Sequence, residues 1–141
     1  MKRRLLFGYQ LLTGLSDTTT GLLLVFAPAT TLRLMGVHVA DSSLPFLSFI
    51  GAFVLSTGIA CLYGGFLAML PHSAPKLQAP KLQVVWLLTA ITRSCVAFFV
   101  SSSILAGTLE PAWDTVAVTD GAFALLQFVG LAKGWLNHAT T

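Results

Sequence analysis

Apolar residues occur along this chain in long blocks, with short polar segments between them. Four apolar stretches cover roughly residues 5–27, 44–70, 82–106 and 112–133. Each stretch meets or exceeds the roughly 20 residues that a helix needs to cross the hydrocarbon core of a bilayer. The pattern therefore predicts an all-α polytopic membrane protein. We expect one domain over residues 1–141 that forms a bundle of four transmembrane helices with short loops.

The polar segments between the stretches carry the helix breakers that are typical of loops. APATTLRLMGVHVADSSLP follows the first stretch, LPHSAPKLQAPKLQ the second and AGTLEP the third. In the first segment, TTLRLMGV predicts a short interfacial helix, with Leu32, Leu34 and Met35 in the lipid headgroups and Arg33 pointing outward. The tandem APKLQ in the second segment is interpreted as a short duplication in a tolerant loop, because two copies are too few for a repeat architecture.

Basic residues concentrate on one side of the predicted bundle. If the N-terminus is cytoplasmic, the cytoplasmic side carries Lys2, Arg3, Arg4, Lys76, Lys81 and Lys133, whereas the opposite side carries Arg33. This distribution follows the positive-inside rule for an even number of spans. We therefore expect a multi-pass protein of the bacterial inner (plasma) membrane with both termini in the cytoplasm.

The start of the chain also has some features of a signal peptide. MKRRLL is basic, and APA at positions 27–29 resembles a cleavage site. The apolar stretch is too long for a signal peptide, however, Asp17 interrupts it, and proline occupies the middle of the supposed cleavage site. We expect the first span to be retained.

The composition agrees with a membrane location. Hydrophobic residues make up 55% of the chain and charged residues 9%, whereas a soluble domain usually has about 25% charged residues. The mean hydropathy is +0.83. A basic stripe interleaved with aromatic residues, which nucleic-acid binding requires, is missing from the sequence. The expected partners are the lipid bilayer, and either other membrane proteins or further copies of this chain.

Small and polar residues share one face of each stretch. In the first stretch the spacings of three and four residues place on one side Gln10, Thr13, Gly14, Asp17, Thr20 and Gly21. In the second stretch, Gly51, Gly58 and Gly65 recur every seven residues, which predicts a seam where a neighbouring helix packs closely. Such faces are expected to point into the bundle.

Three charged residues lie near the middle of the predicted spans. At 1.5 Å per residue, Asp17, Arg93 and Asp120 lie about 17–20 Å from the cytoplasmic ends of their spans. A lone charge at the centre of a membrane helix costs about 2.5–3.5 kcal/mol, so pairing is expected. We predict that Arg93 forms a buried cluster with the two carboxyl groups. Hydrogen-bonding support is expected from Gln127, Thr13 and Thr89.

The sequence offers little support for catalysis. His38, His72 and His138 lie in loops or near the C-terminus, and motifs such as HExxH or GxSxG are missing. Cys61 and Cys95 sit inside apolar stretches and are predicted to be small buried hydrophobes. The tryptophans at positions 86, 113 and 135 lie near span ends, as in an aromatic belt. We predict no catalytic residue, no metal site and no cofactor.

The arrangement of GLLLVFAPATTLRLMGV, a glycine-rich second span and a last span reading DGAFALLQFVGLAKGWL resembles small bacterial four-helix membrane proteins of the broad DoxX-like kind. Some members of that group are associated with quinone-linked oxidation of thiols or thiosulfate. Because this chain has neither a cysteine pair nor a cofactor ligand, that activity is not carried over. Small multidrug transporters, which carry an acidic residue in their first span, are a second comparison, although here Arg93 is expected to neutralise Asp17.

Three functions remain open at this point. The first is a non-enzymatic accessory subunit of a membrane assembly, held by the Asp–Arg–Asp cluster. The second is a small oligomeric transporter in which Asp17 or Asp120 couples substrate movement to protons. If both carboxyls are ionised the cluster has a net negative charge, so one of them is a candidate for staying protonated. The third is a DoxX-like redox protein with a quinone between its helices.

Overall fold

The computed structural model describes residues 3–69 and 75–136. These residues form five α-helices, namely α1 (Arg3–Phe26), α2 (Pro28–Met35), α3 (Leu44–Met69), α4 (Pro75–Leu105) and α5 (Asp114–Ala132). Short 3-10 turns, Asp41–Ser43 and Pro111–Trp113, precede α3 and α5. No β-strand occurs within the described ranges. The prediction of an all-helical protein is therefore confirmed.

Within residues 3–69 and 75–136, three segments are long and apolar enough to cross a membrane, Asp41–Met69, Pro80–Leu105 and Pro111–Ala132. They cover α3, most of α4 and α5, whereas α1 is not among them. The difference follows from the sequence of α1, in which Gln10, Asp17 and a run of threonines interrupt the leucines. The exposed surface of these helices carries large apolar side chains such as Phe53, Phe98 and Leu125. An outer surface of this kind suits a bilayer rather than water.

The four long helices form two closely packed pairs. Helix α1 packs mainly against α3, and α4 mainly against α5, while α3 also contacts α4. Helices α1 and α3 run antiparallel, because Gly14 lies against Leu62 whereas the later Gly21 lies against the earlier Leu55. Their separation is small enough that a Cβ atom added at Gly21 would overlap the backbone of Leu55. Small residues are what permits such close packing of membrane helices.

The three glycines predicted to form a packing seam on α3 differ in how closely they are approached. A Cβ atom at Gly58 would overlap the backbone nitrogen of Thr18, and one at Gly51 would lie 2.7 Å from Leu24 Cβ. At Gly65 the nearest atom would be Gln10 Cβ at 3.4 Å, which is an ordinary van der Waals contact. In that turn the glycine that Gln10 approaches most closely is the neighbouring Gly64. The seven-residue spacing did not identify it.

At one end of the bundle, α2, the residue after its cap and the first turn of α3 form a small apolar core, on which the 3-10 turn Pro111–Trp113 packs. Leu32, Val37 and Leu47 are buried there, with Trp113 packed against them. Gly36 ends α2 in the left-handed conformation, with φ of 70°, which glycine adopts without strain. The predicted short helix is present, but Leu32 is 2% exposed and therefore does not enter the lipid headgroups. It packs on protein instead.

Two further sequence predictions, for Trp86 and for Cys95, are wrong. Trp86 is 0% exposed and packs in a core with Leu6, Leu82 and Leu136, so it cannot belong to an aromatic belt at the membrane surface. Of the two cysteines, Cys61 is buried as expected, whereas Cys95 is exposed. Cys95 lies on the outward side of α4, and only one face of a helix can point into the bundle.

Helix α4 begins earlier than the sequence predicts. The segment PKLQAPKLQ, expected to lie in a loop, forms its first turns, and Pro80 lies inside the helix. Pro75 occupies the first helical turn, where a missing N–H group costs little. Part of the preceding predicted loop, residues 70–74, lies outside the described residues.

Candidate functional site

Arg93 lies in the interior of the bundle and binds carboxylates on two other helices. Arg93 as a whole is 3% exposed. Its Nη1 atom donates a hydrogen bond to Oδ1 of Asp120 at 2.6 Å, and its Nη2 atom donates to Oδ2 of Asp17. The guanidinium of α4 therefore joins α5 to α1. We refer to Asp17, Arg93 and Asp120 as the charged triad.

The two carboxylates are less enclosed than the arginine between them. The side chains of Asp17 and Asp120 are 17% and 19% exposed, whereas that of Arg93 is 4% exposed. The guanidinium carbon also lies 5.0 Å from the centre of the Phe123 ring, which is a favourable cation–π position. Each carboxylate receives one nitrogen of the fork, and Arg93 Nε has no partner among the described residues.

Small residues allow α5 to approach α4 at the level of the triad. Ala117 and Ala124 are buried on either side of Asp120. A Cβ atom added at Gly121 would lie 3.8 Å from that of Ala97. Because Ala97 follows Arg93 by one turn of α4, the two helices come close where the arginine reaches across. The sequence thus places a long cationic side chain between surfaces made of small side chains.

Gln127 and Thr89, predicted to support the triad, instead bond to each other. Gln127 Nε2 donates to Thr89 Oγ1 at 2.7 Å, and both residues are buried. Thr89 Oγ1 donates in turn to the backbone oxygen of Val85 at 2.8 Å. Because Thr89 precedes Arg93 by four residues, this pair lies about 6 Å nearer the start of α4 than the arginine does. It forms a second polar link between α4 and α5.

Thr13 is buried, and its hydroxyl bonds to the backbone of its own helix. Its hydroxyl donates to the backbone oxygen of Tyr9 at 3.0 Å. Among the described residues no direct hydrogen bond joins this hydroxyl to Arg93, and its support of the triad stays a prediction. Thr13 lies beside the Cys61 thiol, which also faces Arg93. The face of α1 that carries Thr13 and Asp17 thus points into the bundle, as the residue spacing predicts.

Sequence reasoning missed several residues around the triad. The Tyr9 ring lies 5.4 Å from that of Trp86 and 5.9 Å from that of Phe123. Tyr9 precedes Asp17 by eight residues and Trp86 precedes Arg93 by seven, so both lie on the same helical faces as the charged residues. That spacing was a signal that would have identified them. Their aromatic rings fill the space between the two helix pairs.

Within the described ranges, no group of three or more His, Cys, Asp or Glu side chains is arranged to hold a metal ion. No protein-family model, curated protein or solved structure matches the chain.

Proposed function

We propose that this chain is a non-enzymatic integral membrane protein that serves as a structural, accessory subunit of a membrane assembly. The observation that carries this proposal is the position of Arg93, which is buried and bonded to carboxylates on two other helices. Such a cluster links the α1–α3 pair to the α4–α5 pair. An intramembrane charge whose hydrogen bonds go to fixed carboxylates is suited to holding helices in register.

The proposal includes α1 as a fourth span, with both termini in the cytoplasm of a bacterial cell. Two observations support a fourth span. Helix α1 has 24 residues, which corresponds to about 36 Å of helix. Its polar residues Gln10 and Thr13 are buried while Leu12 and Phe26 are exposed, so two of the polar residues that lower its hydropathy point into the bundle and not toward lipid. The distribution of lysine and arginine supports the orientation.

The test distinguishes an accessory subunit from a proton-coupled transporter. The protein is reconstituted into liposomes that contain a pH-sensitive dye, and a panel of organic cations is added outside. An accessory subunit should move no more protons than protein-free liposomes. In mild detergent it should run as one discrete species, and Arg93→Leu should reduce the amount of that species. Proton movement that depends on both a cation and Asp120 would overturn the proposal.

A second candidate, a small proton-coupled transporter, is favoured by one specific observation. The carboxylates of the triad keep 17% and 19% of their side-chain surface exposed, and a transporter needs such a surface for a proton or a cation to bind. In that case Asp120→Asn should abolish cation-driven proton flux. The matched control is Asp114→Asn, because Asp114 begins the same helix and is exposed. Loss of flux in both variants would argue against a specific role for Asp120.

A further inference from the structure

An open groove lies between α1 and α3 at the end of the bundle where α1 begins and α3 ends. Its volume is about 270 Å³, and its lining includes Arg4, Phe7, Ala68 and Met69. Pockets that enclose a whole drug-sized ligand have volumes of roughly 300–1,000 Å³. A groove somewhat smaller than that suits one segment of a longer molecule, the rest of which lies on the neighbouring surface.

Apolar side chains continue from the groove along the outside of both helices. On α1, Leu11 follows Phe7 by four residues and is exposed, and on α3, Phe66 precedes Met69 by three residues and is exposed. Residues at these spacings share one face of a helix. Because α3 belongs to a segment long and apolar enough to cross a membrane, this surface runs from the end of the span toward its middle. A fatty acyl chain has the length and the apolar character to lie along it.

Arg4 places a positive charge at the groove, and the chain supplies no negative charge beside it. Arg4 is exposed, and the ion pairs of the described residues are those of Arg93, not of Arg4. The chain has five acidic side chains, Asp17, Asp41, Glu110, Asp114 and Asp120. Two of them belong to the charged triad, of which Asp17 lies about 20 Å along α1 from Arg4. The other three lie where α3 and α5 begin, at the opposite end of the bundle.

Two exposed lysines, Lys81 and Lys133, lie at the same end as Arg4. Lys81 precedes Leu82 and Lys133 is three residues before Leu136, and both leucines pack with Leu6 of α1 in one core. This end of the bundle is therefore basic. Basic pockets between membrane helices bind the headgroups of anionic lipids, and an arginine guanidinium bonds phosphate oxygens with two N–H groups.

We propose that the groove binds one anionic phospholipid, with Arg4 bonded to its phosphate and one acyl chain lying along Phe7 and Met69. The two lysines attract anionic headgroups to this end, whereas Arg4 is the cation that contacts the bound lipid. This site is separate from the charged triad and does not depend on the proposed accessory role. It requires only that the end of α3 lies at a membrane surface.

The test measures lipid binding to the full chain by native mass spectrometry in mild detergent at about 0.15 M salt. We expect one saturable molecule of phosphatidylglycerol, bound about fivefold more tightly than phosphatidylcholine with the same acyl chains, because one basic residue near an anionic headgroup contributes about this factor. Inorganic phosphate and glycerophosphoglycerol, which lacks acyl chains, should not displace the lipid. Equal binding of the two lipids would overturn the proposal. Displacement by either anion at the concentration of the lipid would also overturn it, because the site would then bind free phosphate groups.

Variants of one charged residue show whether the lipid lies in the groove. Arg4→Gln should remove the preference for phosphatidylglycerol, whereas Arg4→Lys, which keeps the charge, should retain most of it. Lys133→Gln is the matched control, because Lys133 is exposed at the same end but is not among the residues that line the groove. It should change the affinity less than about twofold, since salt screens charges that act through solvent.

Equal losses of affinity for Arg4→Gln and Lys133→Gln would mean that the general charge of this end attracts the lipid, and the proposed site would be wrong. An unchanged preference in Arg4→Gln would also contradict it. Circular dichroism and unchanged binding of phosphatidylcholine confirm that each variant is folded.

Discussion

The Nη1 atom of Arg93 lies 2.6 Å from Oδ1 of Asp120, and the other terminal nitrogen of the same guanidinium donates to Asp17. One side chain thus connects helices that are far apart in sequence. Because α1 packs mainly on α3 and α4 mainly on α5, the triad lies where the two pairs meet. Breaking it should therefore loosen the contact between pairs more than the contacts within each pair.

Replacing Arg93 with leucine should strongly destabilise the bundle. The change leaves two carboxylates without their buried counter-ion, and breaking a buried pair typically costs about 3–5 kcal/mol. Adding Asp17→Asn and Asp120→Asn to Arg93→Leu removes the uncompensated charges and should restore part of the stability. The measurement is reversible unfolding in mixed detergent micelles, followed by circular dichroism.

Arg33→Leu is the control for that series. Arg33 is the exposed arginine of α2, and exposed substitutions usually change stability by less than about 0.5 kcal/mol. Equal losses of stability for Arg93→Leu and Arg33→Leu would mean that the triad stabilises the fold no more than an exposed arginine does. A triple variant as unstable as Arg93→Leu would show that packing, rather than unpaired charge, causes the loss.

Replacing glycines with alanine should change the stability differently where helices are in close contact and where the position is open. Gly58→Ala adds a methyl group that overlaps the backbone of Thr18, and overpacking of this kind costs about 1–3 kcal/mol. Gly8→Ala, where nothing lies within 4 Å of the added Cβ, should be stabilising by about 0.5–1 kcal/mol because alanine loses less backbone entropy in a helix. Gly65→Ala should be nearly neutral. The unfolding assay ranks the three variants, and an equal response at Gly58 and Gly8 would contradict the observed packing.

The charged triad was predictable because its members are rare. Charged residues make up 9% of the chain, so a charge inside an apolar stretch stands out, and helical rise alone gives its depth. The hydrogen bonds around the triad were not predictable in the same way. Whether Gln127 reaches Arg93 or Thr89 depends on side-chain rotamers and on how closely α5 approaches α4, which residue spacing does not determine.

Positions that depend on tertiary packing were also misjudged from the sequence. Trp86 lies near a span end in the sequence, but the extra turns at the start of α4 and the packing of Leu6 and Leu136 bury it. Gly64 and Gly65 are adjacent, and only the rotation of α3 about its axis decides which of them faces Gln10 most closely. Such rotations are set by contacts between helices, so a periodic pattern defines a face only approximately.

Removing the acceptor of the Gln127 hydrogen bond should destabilise the protein measurably. Thr89→Val leaves the buried Gln127 amide nitrogen without the partner it has at 2.7 Å, and an unsatisfied buried donor costs about 1–3 kcal/mol. Thr92→Val is the matched control, because Thr92 lies on the same helix, is exposed, and donates its hydroxyl to the backbone oxygen of Leu88 in its own helix. We expect a clear loss of stability for Thr89→Val and little change for Thr92→Val. The reverse order would contradict the second link between α4 and α5.

The proposed topology predicts which side of the membrane each loop faces. In a background of Cys61→Ala and Cys95→Ala, single cysteines are introduced by Arg4→Cys and Arg33→Cys and treated with a membrane-impermeant maleimide in spheroplasts. Arg33 lies at the same end as His38, whose backbone N–H donates to Glu110 at 3.2 Å, so this end should be labelled directly. Arg4 begins α1 and should be labelled only after the membrane is permeabilised. Labelling of both positions in intact spheroplasts would mean that α1 does not cross the bilayer, and Asp17 would then have to reach Arg93 from a helix lying outside the hydrocarbon core.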